Sequence, residues 1–355
     1  MSQSANIRKI LITGGAGYIG NSLITSLPKN VEIIVIDNFL IDTEYKRTAN
    51  LRLQKDHHLT IVPANVSEVS QYQAYLKDID VVVYMASLNS FTESNRNPLL
   101  YLRENNLNLQ IFLNALTSCS SPVKKFILTS SRGAHGEGPH LCLDCQTRIY
   151  PSTGEQLYCP ICTGINLIPQ KITETDLPHP SSYYGLTKRI QEQLLEQLLE
   201  QYCQQKNISL DIFRIFNVFG ENQGKYYSHI GIIPQMYQLI TKQHQLNLNG
   251  NGTINRDFIH ISDVVTVLLK SIYDHNPRQN HLEVYNLGSG QSTSLNDLAS
   301  YFQNLGYKFK TQLVSQFGDV HSSTADTSKT TRVFGLHPSI DLQSFIAREY
   351  SKLLP

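Results

Sequence analysis

The sequence predicts an α/β chain built on a doubly wound parallel sheet, and three observations predict it. Strand-sized apolar runs alternate with helical patterns along the N-terminal half. Gly14, Gly17 and Gly20 stand between the first run and the first helical stretch. An acid, Asp37, closes the second run.

The elements follow in order. Residues 9–13 form a short apolar strand, and a helical stretch runs to Leu27. In the turn between them the first glycine permits a tight bend and the second lets the backbone approach a pyrophosphate. The third lets helix pack closely on strand, with the helix N-terminus facing the phosphates. Tyr18 and Ile19 lie inside this turn-to-helix junction. Residues 31–36 are a second buried strand ending at Asp37-Asn38. A carboxylate there binds both ribose hydroxyls and repels a 2′-phosphate, so NAD is expected over NADP. Strand, glycine triplet, helix, strand and acid in that order form a specific signal, whereas the triplet alone would be weak. Residues 59–63 and 81–85 are the third and fourth strands. Asn65-Val66 follows the third, and Met85, Ala86 and Ser87 end the fourth. Residues 105–116 read as a helix with Leu109, Phe112, Leu113 and Leu116 on one face. Residues 126–129 and 210–216 are two further strands. Ligands of such sheets sit beyond the carboxyl ends of the strands, where Ser130-Ser131, Phe216 and Asn217 fall.

Composition narrows the classes. The chain has 355 residues, 41% hydrophobic and 17% charged, with a formal net charge of +1. That is the balance of an ordinary globular protein with a large core, and it argues against a nucleic-acid or membrane-surface partner. No apolar run approaches the roughly 18 residues of a membrane span. Residues 1–7 lack an apolar signal core, so a cytoplasmic location is expected.

Two constellations carry chemistry. Tyr184 and Lys188 are four apart at the start of a helical pattern, which puts them on one helix face. A nearby ammonium favours the phenolate and makes tyrosine a proton acceptor nearer neutral pH. With Ser131 at a strand end, the pair points to redox chemistry on an alcohol. The second constellation is Cys142-x-x-Cys145 and Cys159-x-x-Cys162, thirteen residues apart. Two such knuckles suit a tetrahedral structural zinc site. Two disulfides or a redox dithiol are the competing readings, the first disfavoured in a reducing compartment. Cys119 and Cys203 are isolated and read as inert.

These residues resemble the extended short-chain dehydrogenase/reductases, specifically the NAD-dependent sugar-nucleotide epimerases and dehydratases. Thr13-Gly-Gly-Ala-Gly-Tyr-Ile-Gly20 is similar to the family's opening fingerprint, and Asp37-Asn38 to its ribose-binding acid. Asn105-Asn106 resembles the asparagine pair that supports the cofactor near the nicotinamide, so Asn105 is an expected cofactor residue. Ser131, Tyr184 and Lys188 resemble the catalytic triad of residues. Arg214-Ile-Phe-Asn217 resembles the segment whose asparagine meets substrate, and the segment around Arg256-Asp-Phe258 the one whose arginine holds a nucleotide diphosphate. The resemblance thus implies a Rossmann domain over residues 5–216 carrying a zinc-ribbon-like insert at 138–168. Residues 217–355 would be mainly a smaller α/β substrate domain, with some segments returning to the first. The cysteine insert resembles that of a subgroup including dTDP-L-rhamnose 4-epimerases. A homodimer is implied too. The stripe Ile190, Leu194, Leu198 and Tyr202 reads first as core packing, and the resemblance implies a helical dimer interface there as the alternative, which the sequence does not separate from it.

The sequence departs from the family pattern in places. Asn65 stands where aspartate is frequent. Tyr84 replaces a histidine and His135 a tyrosine, and both are expected to line the cofactor wall. Gln316 replaces an arginine that grips the diphosphate. Specificity is expected in the loop at 221–231, with Lys225, Tyr226, Tyr227 and His229. Dehydratases carry acids after the serine strand, whereas this chain reads Ser131-Arg132-Gly133. The expected activity is therefore a 4-epimerase of a nucleotide-activated hexose working through a transient keto sugar, with Arg132 a candidate for a substrate phosphate or carboxylate. A dehydrogenase, reductase or decarboxylase of the same family is the neighbouring reading. A catalytically silent NAD sensor or scaffold is the reading from another class, and the retention of serine, tyrosine and lysine speaks against it.

Overall fold

The computed structural model describes residues 7–39, 58–119, 123–151, 157–198, 208–223, 231–249, 252–274, 281–314 and 320–351. The strands of the main sheet are β1 (Lys9–Thr13), β2 (Glu32–Ile36), β3 (His58–Val62), β4 (Val81–Tyr84) and β5 (Lys125–Ser131). The insert contributes β6 (His140–Cys142), β7 (Thr147–Ile149) and β8 (Leu167–Pro169). Beyond it come β9 (Ser209–Ile215), β10 (Asn217–Phe219), β11 (Gln245–Asn249), β12 (Asn255–His260) and β13 (Leu282–Leu287).

Seven strands pair in parallel in the order β13-β9-β5-β4-β1-β2-β3. The order reverses between β1 and β4, which opens a crevice at their carboxyl ends. The strands read as continuous apolar runs because both faces are covered. Ile10, Ile12, Ile33 and Val35 pack on one face with Leu23 and Ile24 of the first helix, Tyr18–Ser26, and with Val264 and Leu268. Leu11, Ile34, Val82 and Leu128 pack on the other with Tyr72, Leu109, Phe112 and Leu195. The expected elements are present with ends shifted by a residue or two. The largest difference is at 105–116, where a π-helical turn, Leu102–Leu107, precedes an α-helix, Asn108–Ser118. Strand β13, which sequence patterning missed, closes the far edge of the sheet.

A third cluster lies in the C-terminal lobe, where Phe219, Met236, Leu248, Phe258, Phe302 and Ile346 meet. Helix Ile261–Ile272, β13 and Phe334 return to the first core cluster. The insert is a three-stranded antiparallel sheet in the order β7-β6-β8. Its anchor to the body is Arg148, which pairs with Asp176 through two bonds of 2.6 and 2.8 Å, joined by the Tyr150 hydroxyl at 2.7 Å. Burial raises the Asp176 pKa, but those partners and the Thr173 N–H outweigh it and hold the carboxyl well below the ordinary range.

Candidate active site

A cleft of about 640 Å³ lies over the carboxyl ends of β1, β4, β5 and β9. Its floor begins where β1 gives way to the first helix. Gly14 has φ +70°, and a Cβ there would stand 2.8 Å from the Ala86 N, so only glycine lets the two strand ends meet. Gly17 caps the nine-residue first helix without a side-chain bond, which leaves its first-turn N–H groups directed at the cleft. Asp37 lines the cleft while accepting the Ala16 and Phe39 N–H groups, each at 2.9 Å. Tyr18, Ile19, Gly20 and Asn38 line the same end.

Asn65 and Val66 form another wall. The Asn65 amide donates to Glu104 Oε2 and its Oδ1 accepts from Asn108, each at 2.9 Å. An aspartate at 65 would set a second carboxylate against Glu104, which gives a physical reason for the departure noted above. Glu104 and Asn108 also line the cleft, and sequence reasoning missed both. Asn108 stood on the polar side of the predicted helix, whereas Glu104 lies one residue before its predicted start, in the π-helical turn.

Met85, Ala86 and Ser87 line the next stretch of wall, followed by Leu88. Asn105 does not line the cleft; it is fully buried and clasps the backbone of Leu88, accepting its N–H at 2.8 Å and donating to its carbonyl at 3.0 Å. It also donates to Thr187 Oγ1 at 2.9 Å, and Asn106 donates to the Thr187 carbonyl at 2.8 Å. The asparagine pair thus ties the cleft wall to the helix Tyr183–Leu198.

That helix brings Tyr184 and Lys188 to the cleft, and β5 brings Ser131. The Ser131 hydroxyl, which accepts the Gly133 N–H at 3.1 Å, lines the cleft beside Tyr184. Lys188 Nζ donates to the Thr129 carbonyl at 2.9 Å. Burial raises the phenol pKa, opposed by the Ser131 hydroxyl and the Arg132 charge. Burial also lowers the Lys188 pKa to about 7, with Glu192 as the opposing charge. Here desolvation dominates both groups, and the lysine ammonium is turned to a backbone carbonyl.

Behind the site, Glu192 is a buried hub. It takes two bonds from Arg214, at 3.0 and 2.8 Å, and one from Ser130 Oγ at 2.6 Å. His135, expected on the cofactor wall, is instead buried against Arg214 at 3.1 Å. Burial and then the Arg214 charge push its pKa down to about 3. Tyr84 is likewise corrected: its ring packs in the core against Phe112 and Phe126, since alternation along β4 turns it away from the cleft.

Arg132, Phe216 and Asn217 line the cleft near the C-terminal lobe. The structure does not bring Arg256 there. That side chain is buried and donates to the Val320 carbonyl at 2.6 Å, and Val320 lines the cleft in front of it. Lys225, Tyr226, Tyr227, His229 and Gln316 lie outside the described residues, as do Tyr202 and Cys203.

The four insert cysteines converge, with all four sulfurs within 4.8 Å of one another. Cys142 and Cys162 Sγ are 3.6 Å apart, and Cys145 and Cys159 Sγ 3.8 Å. Disulfides need about 2.05 Å. Four thiolates around one ion at about 2.3 Å would stand about 3.8 Å apart, so the geometry fits zinc.

The model of the NAD dependent epimerase/dehydratase family matches residues 10–288. The chain belongs to this family. Among curated relatives, dTDP-L-rhamnose 4-epimerase of Burkholderia thailandensis is 27% identical over 365 aligned positions, covering 97% of this chain and 96% of that one. UDP-glucose 4-epimerase of Bacillus subtilis is 25% identical over 362 positions, with 95% and 94% covered. Among solved structures, UDP-glucuronic acid 4-epimerase from Bacillus cereus, in complex with UDP-glucuronic acid and NAD, superposes with a TM-score of 0.77. It is 24% identical, with 98% of this chain and 100% of that chain covered, and it shares the fold. The family cofactor fits the cleft described here. An uncapped helix N-terminus, a glycine where a Cβ has no room and a carboxylate one strand away are what a dinucleotide requires.

Proposed function

We propose that this protein is an NAD-dependent 4-epimerase of a nucleotide-activated hexose. The observation that carries the reading is the convergence of Ser131, Tyr184 and Lys188 in one cleft with a dinucleotide-type turn. Bound NAD supplies a reversible acceptor for the hydride at carbon 4. Tyr184 takes the proton from the 4-hydroxyl and later returns it, and Ser131 holds the reacting oxygen. Lys188, fixed by Thr129, reaches the cofactor side of the same wall. Gly14, Gly17, Asp37, Asn65 and the Met85–Ser87 edge hold the dinucleotide. Arg132 and Asn217 serve the sugar end. Arg256 acts one layer back, through the Val320 backbone.

Epimerisation is favoured over dehydration by the acids in the cleft. Among the described residues these are Asp37 and Glu104. Asp37 accepts backbone N–H groups and Glu104 side-chain amides, and no acid weighs on the Tyr184 phenol. The relatives named above act on dTDP-L-rhamnose and UDP-glucose by their names, which makes both the first substrates to try. Proton NMR in D2O after incubation with each is the test. A new 4-epimer without deuterium at carbon 4 supports the reading, because the hydride never leaves the site. Deuterium at that carbon, or a 6-deoxy-4-keto product, contradicts it.

Three finer assignments belong to the same reading. The domain division at residue 217 follows the start of the C-terminal lobe. The Cys142, Cys145, Cys159 and Cys162 cluster is a structural zinc site, closed by four thiolates, none of which lines the cleft. Metal analysis well below one zinc per chain, with all four thiols free, counts against it. The protein acts as a homodimer through its tyrosine helix and the neighbouring helical segments. Leu107 and Leu186 support this, being 53% and 38% exposed on elements that pack together. No described helix is long and apolar enough to cross a membrane.

A further inference from the structure

We propose that Glu137 is a positioning residue for substrate: its buried carboxylate ties the cleft wall that carries Ser131 to the wall that the C-terminal lobe presents across from it. The inference rests on the reading of the lobe side as the substrate end of the cleft.

Chain order puts Glu137 where such a tie has to start. The single helical turn Arg132–Ala134 follows Ser131, and Gly136 lines the cleft soon after. Gly136 has φ +74°, and a Cβ there would stand 1.8 Å from the His179 carbonyl oxygen, so glycine lets the chain turn at this point. Glu137 comes next and is 6% exposed. A carboxylate buried that far needs donors. It takes them from the lobe. Oε2 accepts the His321 N–H at 2.6 Å, and Oε1 accepts the Ser322 N–H at 3.0 Å. The His321 ring Nδ1 stands 3.5 Å from Oε2, and His140 Nε2 stands 4.0 Å from Oε1. The Gly138 N–H continues the contact, donating to the Ser322 carbonyl at 3.3 Å.

The segment held in this way shapes the lobe side of the cleft. Val320 lines the cleft, and its carbonyl accepts Arg256 Nη1 at 2.6 Å. The His321 carbonyl accepts the Asn255 N–H at 2.8 Å, and Ser322 and Ser323 pair in parallel with Asn255 and Arg256 of β12. Strand β12 pairs in turn with β10, whose Asn217 lines the cleft. The far end of the insert grips the same segment further along. The Ile172 N–H donates to the Thr324 carbonyl at 2.8 Å, and the Asp326 N–H donates to the Ile172 carbonyl at 2.7 Å. Pairing of β6 with β8 keeps the two ends of the insert in register. Further out, Ile165 and Leu167 of the insert face Thr253 and Asn255 of the lobe across a groove of about 250 Å³. The tie therefore sits at the root of the insert, six residues after Ser131. Without the carboxylate, two backbone donors lose their acceptor and the wall at Val320 loosens. The dinucleotide end, built on β1 and β2, keeps its bonds.

The test separates those two ends. Hydrogen exchange on NAD-loaded protein reads the tie, and titration calorimetry with dTDP and with UDP reads its consequence. In Glu137→Ala the peptide at residues 320–326 exchanges about tenfold faster or more, the scale of a lost charged hydrogen bond. Affinity for dTDP or UDP falls by about tenfold on the same scale, while affinity for NAD stays within about twofold. Glu137→Gln keeps the shape and one acceptor, so it falls between parent and alanine variant, and it carries the measurement if the alanine variant does not fold. Unchanged exchange at 320–326 in both variants overturns the proposal. Faster exchange with nucleotide affinity unchanged, or with NAD affinity lost in equal measure, makes the bonds structural only and also overturns it. A parent that binds neither dTDP nor UDP overturns the substrate role through failure of the nucleotide-sugar reading, while the exchange arm still decides whether the tie exists.

Discussion

At the scale of single residues, the site is governed by desolvation. Tyr184 is raised by burial, so a chemistry that needs its phenolate gains as pH rises. The parent enzyme should show kcat climbing with pH, and the residual activity of Tyr184→Phe should lack that limb while falling by about 10²–10⁴-fold. His135, held down to about 3, stays neutral above pH 5 and contributes no limb. Lys188 gives a linkage prediction whose sign can be worked out. Its folded pKa of about 7 lies below the ordinary 10.5, so between those values the unfolded chain binds more protons and stability rises with pH. The burial penalty is fully present below pH 7. Denaturant titrations should therefore find Lys188→Met most favourable relative to the parent below pH 7, with that advantage shrinking toward pH 10. Glu192 is held down by Arg214 against the upward push of burial. Removing its charge strands a buried guanidinium, so Glu192→Gln should cost about 3–5 kcal/mol in stability, measured by urea unfolding.

At the scale of elements, what was legible in the sequence depended on whether a residue acts through the backbone pattern or through a distant partner. The β1 turn, Asp37, Ser131 and the Tyr184–Lys188 helix were legible because strand and helix periods fix their direction. Tyr84 and His135 were misplaced because one-residue alternation and a buried arginine on another strand decide them. The arginine is not local in sequence, and the alternation at Tyr84 was set aside for the family pattern. The roles of Asn105 and Arg256 were blurred for the same reason, since each acts through a backbone group that lines the cleft. The insert makes the corresponding prediction for an element. Cys142→Ser and Cys159→Ser should lose zinc and hydrogen-exchange protection over β6–β8 while NAD binding persists, because the sheet β13-β9-β5-β4-β1-β2-β3 does not include those strands. Loss of protection throughout the main sheet would contradict this.

At the scale of the whole molecule, the parallel sheet sets a crevice between β1 and β4, and the C-terminal lobe places Asn217 and Val320 opposite it. The lobe has a core of its own, around Phe219 and Phe302. If the exposed leucines mark a two-fold interface, Leu107→Glu with Leu186→Glu should convert the dimer to a monomer by light scattering, with the far-ultraviolet spectrum unchanged. The central claim concerns one alcohol carbon that is oxidised and reduced again within a closed site. Its most direct test starts from dTDP-L-rhamnose carrying deuterium at carbon 4, incubated in ordinary water and followed by NMR and mass spectrometry. The account predicts a 4-epimer that keeps its deuterium at carbon 4, with none formed by Tyr184→Phe. An epimer that has exchanged that deuterium for solvent hydrogen would contradict it.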